Sequence, residues 1–209
     1  MADPLAIIRA LPRAPAPNDD PTTIRGNVSL EHKELCQRIL YFHVANYPGS
    51  TVFSNQLMND LKIVEVNSRR MKVGEDDASG GILQGETIFE IEVTKGMLNT
   101  HGTLAGGCAF HILDFCTFSA LFTLALENND ASTGVSTGIN LSWHSPATLG
   151  TVLRIVSTSV NMSDRSATSR AEVYDKKTNK LLISAVHHVM PLKSYKSKGS
   201  SNTKSKAKL

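Results

Sequence analysis

Asn99-Thr100-His101-Gly102-Thr103-Leu104-Ala105-Gly106-Gly107-Cys108-Ala109-Phe110-His111-Ile112-Leu113-Asp114 is the stretch of this chain that decides its fold. It places a glycine pair near the start of an apolar run predicted as one long helix over 103–127, and it sets one carboxylate inside that run. Four β-rich runs follow, at 134–143, 152–161, 166–174 and 181–191, and the polar segment Asp175 to Asn179 suits a hairpin turn between the last two. One long helix followed by a meander of strands predicts an α+β layout, a curved antiparallel sheet wrapped on the helix.

The same stretch carries the candidate chemistry. The first N–H groups of a helix have no intrahelical acceptor and carry partial positive charge, so those around Gly106 and Gly107 can cradle a developing oxyanion. Asp114 is the only acid between Glu92 and Glu127, and Phe110, Ile112, Leu113, Phe115 and Phe118 surround it. An acid expected to be buried among such neighbours needs hydrogen bonds or a polar cleft to stay ionised, which is the profile of a general base or a nucleophile. The alternative is a surface carboxylate on an amphipathic helix.

Along one helix Gly106 and Asp114 stand about 12 Å apart at roughly 1.5 Å per residue, too far to flank one carbonyl carbon. If both serve one reaction they come from different subunits, which predicts a dimer with active sites across its interface and the long helices side by side. Thr103, Gly107, His111 and Asp114 share a face at helical spacing and are the expected lining of that seam.

Residues from about Phe89 to Leu192 resemble the hotdog-fold thioesterases of the phenylacetyl-CoA thioesterase-like group, including the small eukaryotic acyl-CoA thioesterases. The matching residues are Asn99, Gly-Thr-Leu-x-Gly-Gly from Gly102 to Gly107, and Leu113-Asp114. Gly134-Val135-Ser136, Ser145-Pro146-Ala147 with Leu149-Gly150, and Asn179-Lys180-Leu181 complete the match. The resemblance implies that the Gly106 N–H and the Asn99 side chain polarise a thioester carbonyl. It also implies that Asp114 of the partner subunit activates water or attacks that carbonyl, and that Ser136 positions the water. The family often has His directly before the glycine pair, where this chain has Ala105; His101 and His111 are the candidates to compensate and, with Gly107, to line the substrate site. A homodimer, and beyond it a dimer of dimers, is the implied assembly.

The rest of the chain fits one domain with flexible ends. At 209 residues, 41% hydrophobic and 20% charged, it can bury one sizeable core. Residues 1–28 hold five prolines, Pro4, Pro12, Pro15, Pro17 and Pro21, without a sustained period and are expected to be mostly disordered. Asp3 and Pro4 argue against a secretory signal, and a mitochondrial presequence is the weaker alternative on Arg9, Arg13 and Arg25. The domain proper is expected over 29–192, opening with an extra N-terminal helix from Leu30 to Ala45 capped by Ser29, then a short helix from Phe53 to Leu61. Strands are predicted over 62–73 and 87–93, joined by a loop from Glu75 to Gly85.

Cys36, Cys108 and Cys116 lack metal-ligand spacing and read as reduced, buried thiols of an intracellular compartment. His187 and His188 point to opposite faces of a strand and make poor joint ligands. The apolar run 103–126 is long enough to span a bilayer, but its Asp and His make insertion costly, and burial between sheet and partner helix is the expected account.

Residues 193–209 form a flexible Lys/Ser tail that ends in Ala207-Lys208-Leu209, close to the Ser-Lys-Leu address read by the peroxisomal import receptor. The whole chain carries +3, and the tail supplies six lysines and no acid, which leaves 1–192 at −3. The basicity therefore belongs to the tail and gives no reason to expect nucleic-acid binding by the fold.

The expectation is an acyl-CoA thioesterase that releases free acid and CoA in the peroxisome, with cytoplasm or mitochondrion as alternatives. No cofactor or metal is called for, because the thioester is already activated. Arg165, in the polar turn 161–166, is the candidate for the CoA phosphates. The rivals are a non-catalytic acyl-CoA-binding or scaffold protein, favoured by Ala105, and an enoyl-CoA hydratase, disfavoured because Asn99 stands where an acid is wanted.

Overall fold

The computed structural model describes residues 3–44, 53, 58–72, 81–130 and 133–192. The tail with Ala207, Lys208 and Leu209, most of the short helix expected from Phe53, and most of the loop expected from Glu75 lie outside the described residues. After a short helix α1 (Ala6–Arg9) and a 3-10 turn (Pro21–Thr23) come α2 (Leu30–Val44), β1 (Lys62–Met71), β2 (Ile82–Glu92), α3 (Gly106–Glu127), β3 (Thr133–Trp143), β4 (Val152–Met162), β5 (Ala167–Asp175) and β6 (Leu181–Leu192). The strands form one antiparallel sheet in the order β1-β2-β4-β5-β6-β3, wrapped around α3 in the hotdog arrangement.

Strand alternation builds the core. Phe89 and Ile91 of β2, Leu153 and Ile155 of β4, Ala171 and Val173 of β5, and Ile183 and Ala185 of β6 turn inward to meet Ile112, Leu113, Cys116, Phe122 and Leu126 of α3. From Ser119 to Leu126 every residue of α3 is buried, so the apolar run that is long enough to cross a bilayer is accounted for by the sheet around it.

β2 begins at Ile82, earlier than the Thr87 expected from the sequence, so Gly85 belongs to the strand and not to the loop. A Cβ at Gly85 would stand 2.3 Å from the Ala120 carbonyl oxygen and 2.9 Å from the Leu124 nitrogen. The glycine is there because the helix backbone lies directly on the strand.

α2 is capped as expected, the His32 N–H donating to Ser29 Oγ at 3.1 Å. It buries Leu35, Cys36, Ile39 and Leu40. The hairpin before β6 closes with the Asp175 N–H on the Lys180 carbonyl at 3.0 Å, and Asn179 takes φ 56° to make the turn.

The N-terminal segment corrects an expectation. Residues 3–28 are not a disordered leader in this structure: Leu5, Ile8, Ile24 and Val28 are buried in the main core. Buried Asn18 clamps the start of β1, Nδ2 donating to the Leu61 carbonyl (2.7 Å) and Oδ1 accepting from the Ile63 N–H (2.9 Å). Arg25 pairs with β1 through its backbone and with Glu65 through its side chain. Irregular chain with prolines orders here because scattered anchors, not a repeat, fix it.

Candidate active site

The helix opens three residues later than the Thr103 expected, with Ala105 as N-cap and Gly106 as first helical residue. Thr103 therefore lies ahead of the helix, bridged to Thr148, and not on its face with Gly107, His111 and Asp114. Ala105 offers no side-chain cap; its own N–H donates to the Met97 carbonyl at 2.8 Å, and the first intrahelical bond runs from the Ala109 N–H to the Ala105 carbonyl at 3.0 Å. The N–H groups of Gly106, Gly107 and Cys108 therefore have no acceptor within the helix.

Just before it, Asn99 to Thr103 forms a tight loop organised by one side chain. Asn99 Oδ1 accepts the N–H of His101 (2.9 Å) and of Thr103 (3.2 Å), while Nδ2 donates to Thr103 Oγ1 (3.0 Å). Gly102 closes the loop at φ +73°, a conformation that favours glycine. An amide has two N–H donors, so one remains on Asn99 for a ligand.

Asn99, Thr103, Leu104 and Gly106 line a cavity of about 450 Å³, completed by Trp143 to Ala147 and Ile183. Trp143 Cζ2 stands 3.7 Å from where a Gly106 Cβ would be. Sequence reasoning missed Trp143 and His144 as site walls. The signal was their place at the end of the strand that runs into the Ser145-Pro146-Ala147 motif.

Asp114 does not line this cavity, and it is not the buried acid expected: its side chain is 54% exposed. The uncovered strip of α3 runs through Gly106, Gly107, Phe110 and Asp114, with His111 half-buried beside it. A carboxylate on that strip is open to whatever packs against the helix.

Around Asp114 the chain assembles a polar cluster. Ser136 Oγ donates to Asp114 Oδ1 at 2.8 Å. Ser136 is aimed by a bulge in which Thr137 is the extra residue, since Ser136 pairs with Val189 while Gly138 already pairs with His188. His187 lies fully buried beneath, its Nε2 3.5 Å from Asp114 Oδ1. Burial lowers the basicity of its ring, against the pull of the Asp114 charge.

His187 was set aside on the sequence because it cannot ligate a metal jointly with His188. The alternation is as expected, His187 buried and His188 exposed, but the inward ring meets the candidate acid. The signal available was a histidine on the apolar face of a strand.

The other candidates are placed apart. His101 is exposed in the Asn99 loop. His111 has a buried Nε2 without a partner among the described residues, packs edge-on to Phe53 at 5.0 Å between centroids, and is held less basic by burial. Arg165 sits in the β4–β5 turn next to Ser163 and Asp164, which face Asn128 at the far end of α3 from Gly106. Within one chain it does not reach the cavity. Cys36 and Cys116 are buried and Cys108 is half-buried; all three are free, and burial raises Cys36 to about 12 and Cys108 to about 11. Among the described residues, no group of three or more His, Cys, Asp or Glu is placed to hold a metal.

Residues 101–182 match the model of the thioesterase superfamily. Among solved structures the chain is similar to zebrafish thioesterase superfamily member 2, at 17% identity and a TM-score of 0.56, with 78% of this chain and 99% of that one covered. It is also similar to mouse thioesterase superfamily member 2, at 17% identity and a TM-score of 0.53, covering 74% and 93%. At such identities the likeness carries the fold. Comparison with curated proteins gives no significant match.

Proposed function

We propose that this chain, a hotdog-fold protein whose residues 101–182 match the model of the thioesterase superfamily, hydrolyses acyl-CoA to a free acid and CoA. The observation that carries the proposal is the division of the site. One cavity gathers the Asn99 amide and the open helix N-terminus, while the acid that would act with them is presented outward on the same helix, hydrogen-bonded to Ser136.

In the proposed homodimer, Asp114 of one subunit meets the cavity of the other. The thioester carbonyl oxygen accepts from the Gly106 N–H and the spare Asn99 N–H, both preorganised for the negative charge of the tetrahedral intermediate. Asp114 removes a proton from water, or attacks the carbonyl itself, and Ser136 fixes its orientation. The apolar faces of Leu104, Ala147 and Trp143 suit an acyl or aromatic group beside the reacting carbon. Gly107, His101 and His111 belong to the same face of the proposed dimer; Arg165 reaches a CoA phosphate only in the assembly, and a dimer of dimers is the larger form proposed.

The test is release of CoA thiol from short, medium, long and aromatic acyl-CoAs by the unmodified protein and by Asp114→Asn. Loss of about a hundredfold or more in the variant is expected for a direct acid or base. A second reading, ester binding without turnover, is favoured by Ala105, which stands where the family that the chain resembles often has His. Binding of a non-hydrolysable acyl-CoA with no thiol release from any ester would establish it. The peroxisomal location is proposed on Ala207-Lys208-Leu209 alone; a fluorescent protein fused ahead of the intact chain that stays outside peroxisomes would refute it, and one that stays in peroxisomes after removal of Leu209 would refute targeting by these residues.

A further inference from the structure

His187 is the buried group that the proposed hydrolysis leaves unused. It lies on the inward face of β6 between Ala185 and Val189, with no exposed surface. Nδ1 is 2.7 Å from Thr117 Oγ1. Among the described residues Nε2 has no hydrogen-bond partner, and it faces the Asp114 carboxylate at 3.5 Å.

Thr117 decides where the ring hydrogen sits. Its Oγ1 is 2.5 Å from the Leu113 carbonyl oxygen, and since a carbonyl cannot donate, the single hydroxyl hydrogen lies on that contact. Oγ1 is then the acceptor for Nδ1–H of His187. The neutral ring is left with a bare lone pair on Nε2, and a bare lone pair facing a carboxylate has no partner until a proton arrives between them.

We infer that Asp114 and His187 form a proton-sharing pair, in which His187 acts as a positioning residue by accepting the hydrogen bond of the Asp114 carboxyl once that carboxyl is protonated. The inference rests on the thioester-hydrolysis reading with Asp114 as base. In that step a water O–H bond breaks as its oxygen bonds to the carbonyl carbon, and the proton goes to Asp114 Oδ1, held toward Nε2. The C–S bond then breaks with its electron pair on sulfur, and the proton passes from Asp114 to the thiolate. Ester and water become acid and thiol, and the pair returns to its starting state.

Few groups compete for that proton. From α3 the ring faces Asp114 and Thr117; from β6 its neighbour is His188, on the opposite face and bonded to Thr168 Oγ1 at 3.2 Å. From β3 it is Ser136, already committed to Asp114. His43 of α2 and His111 of α3 sense the Asp114 charge but are themselves made less basic by burial.

The first test reads the ring directly, by imidazole ¹⁵N shifts of the full chain, with His187 assigned by its loss in His187→Gln. Nδ1–H with an unprotonated Nε2 is expected near neutral pH; an Nε2–H tautomer overturns the inference. The second test is kinetic, on the unmodified protein, His187→Gln, Asp114→Asn and the double variant. His187→Gln is expected to lower kcat on the order of tenfold with KM little changed, less than loss of the base itself, and to displace the acid limb of the pH profile. Added to Asp114→Asn it should cost nothing further; equal losses in both backgrounds with an unmoved profile would mean a packing role and sink the inference.

Thr117→Val gives an independent perturbation if His187→Gln does not fold, since without Oγ1 the ring loses its Nδ1 partner and should turn to the Nε2–H form. If the unmodified protein cleaves no ester, the hydrolysis reading falls while the pair is still decided by the spectrum. The Nε2 signal should move in Asp114→Asn, whose amide can donate to it, and an unmoved signal rules the pair out.

Discussion

Two inactive variants should restore one another if the active site is divided between subunits. Gly106 and Asp114 belong to one helix, and at about 1.5 Å per residue they stand about 12 Å apart, whereas reacting groups must close to about 3–3.5 Å. Asn99→Asp keeps the Oδ acceptor that holds the loop N–H groups but removes the amide donor, and losing one oxyanion donor costs about 10²–10³ in kcat. Asp114→Asn removes the base, at about 10²–10⁴. A site that takes Asn99 from one chain and Asp114 from its neighbour is intact only when the first chain is the Asp114 variant and the second the Asn99 variant. Random exchange at equal amounts makes about one quarter of all sites intact, in a dimer or a dimer of dimers alike. Thiol release should therefore climb from about 1% or less for either variant alone to about 25% of the unmodified rate after co-refolding. An affinity tag on one variant isolates the mixed assemblies, and the untagged chain in the eluate proves exchange. Proven exchange with no recovery would refute the divided site, because a site contained in one chain stays defective in every subunit.

Stability should respond where the backbone is crowded or clamped. Gly85→Ala drives a Cβ against backbone atoms of Ala120 and Leu124 that cannot swing aside, and should cost about 1–3 kcal/mol or more in urea unfolding; an unchanged midpoint would mean that the helix does not lie on β2. Asn18→Ala leaves the buried Leu61 carbonyl and Ile63 N–H unpaired. It should cost about 2 kcal/mol or more, and protease cleavage ahead of α2 at native pH should rise with it. For His187 the folded ring is less basic than the unfolded one because it is buried. The unfolded chain thus binds more protons as pH falls below about 6.5, so its share of stability is full above that value and is lost on acidification, at up to about 1.4 kcal/mol per pH unit. Urea curves for the unmodified protein and His187→Gln should diverge in that window; identical slopes would show that the ring does not titrate as a buried group.

The helix and four of the strands were legible because their signals are local. Alternation across 152–161 and 181–191 carries into β4 and β6 with ends shifted by no more than a residue. What was not legible depends on contacts distant in sequence. Gly85 reads as loop until the carbonyl of Ala120 is known to press on it. The proline-rich start reads as disordered because Asn18 reveals nothing of the backbone groups it holds more than forty residues away. Asp114 reads as buried because apolar residues surround it in the sequence, and Ile112, Leu113 and Phe115 are indeed buried; only the packing of α3 shows that the strip bearing Phe110 and the acid is left open. Ser136 and Asp114 were linked only by resemblance, and the structure joins them at 2.8 Å.

Ala105 bears on both turnover and binding, and one substitution separates its effects. At the N-cap it leaves the N–H groups of Gly106, Gly107 and Cys108 without a side-chain acceptor beside a cavity. A serine in that position would accept from the second or third of them, those of Gly107 or Cys108, and an N-cap of this kind is worth about 0.5–2 kcal/mol. Ala105→Ser should therefore raise the unfolding midpoint. If the oxyanion is held by the Gly106 N–H and the Asn99 amide alone, kcat stays within about twofold, since neither donor is consumed. If the Gly107 N–H is also a donor, the same variant gains stability and loses kcat, with KM moving little because the lost interaction belongs to the transition state. A variant that gains stability and loses affinity for a non-hydrolysable acyl-CoA, with turnover absent throughout, would instead show that the open helix end serves to bind the ester, and hydrolysis would have to be given up as the function of this fold.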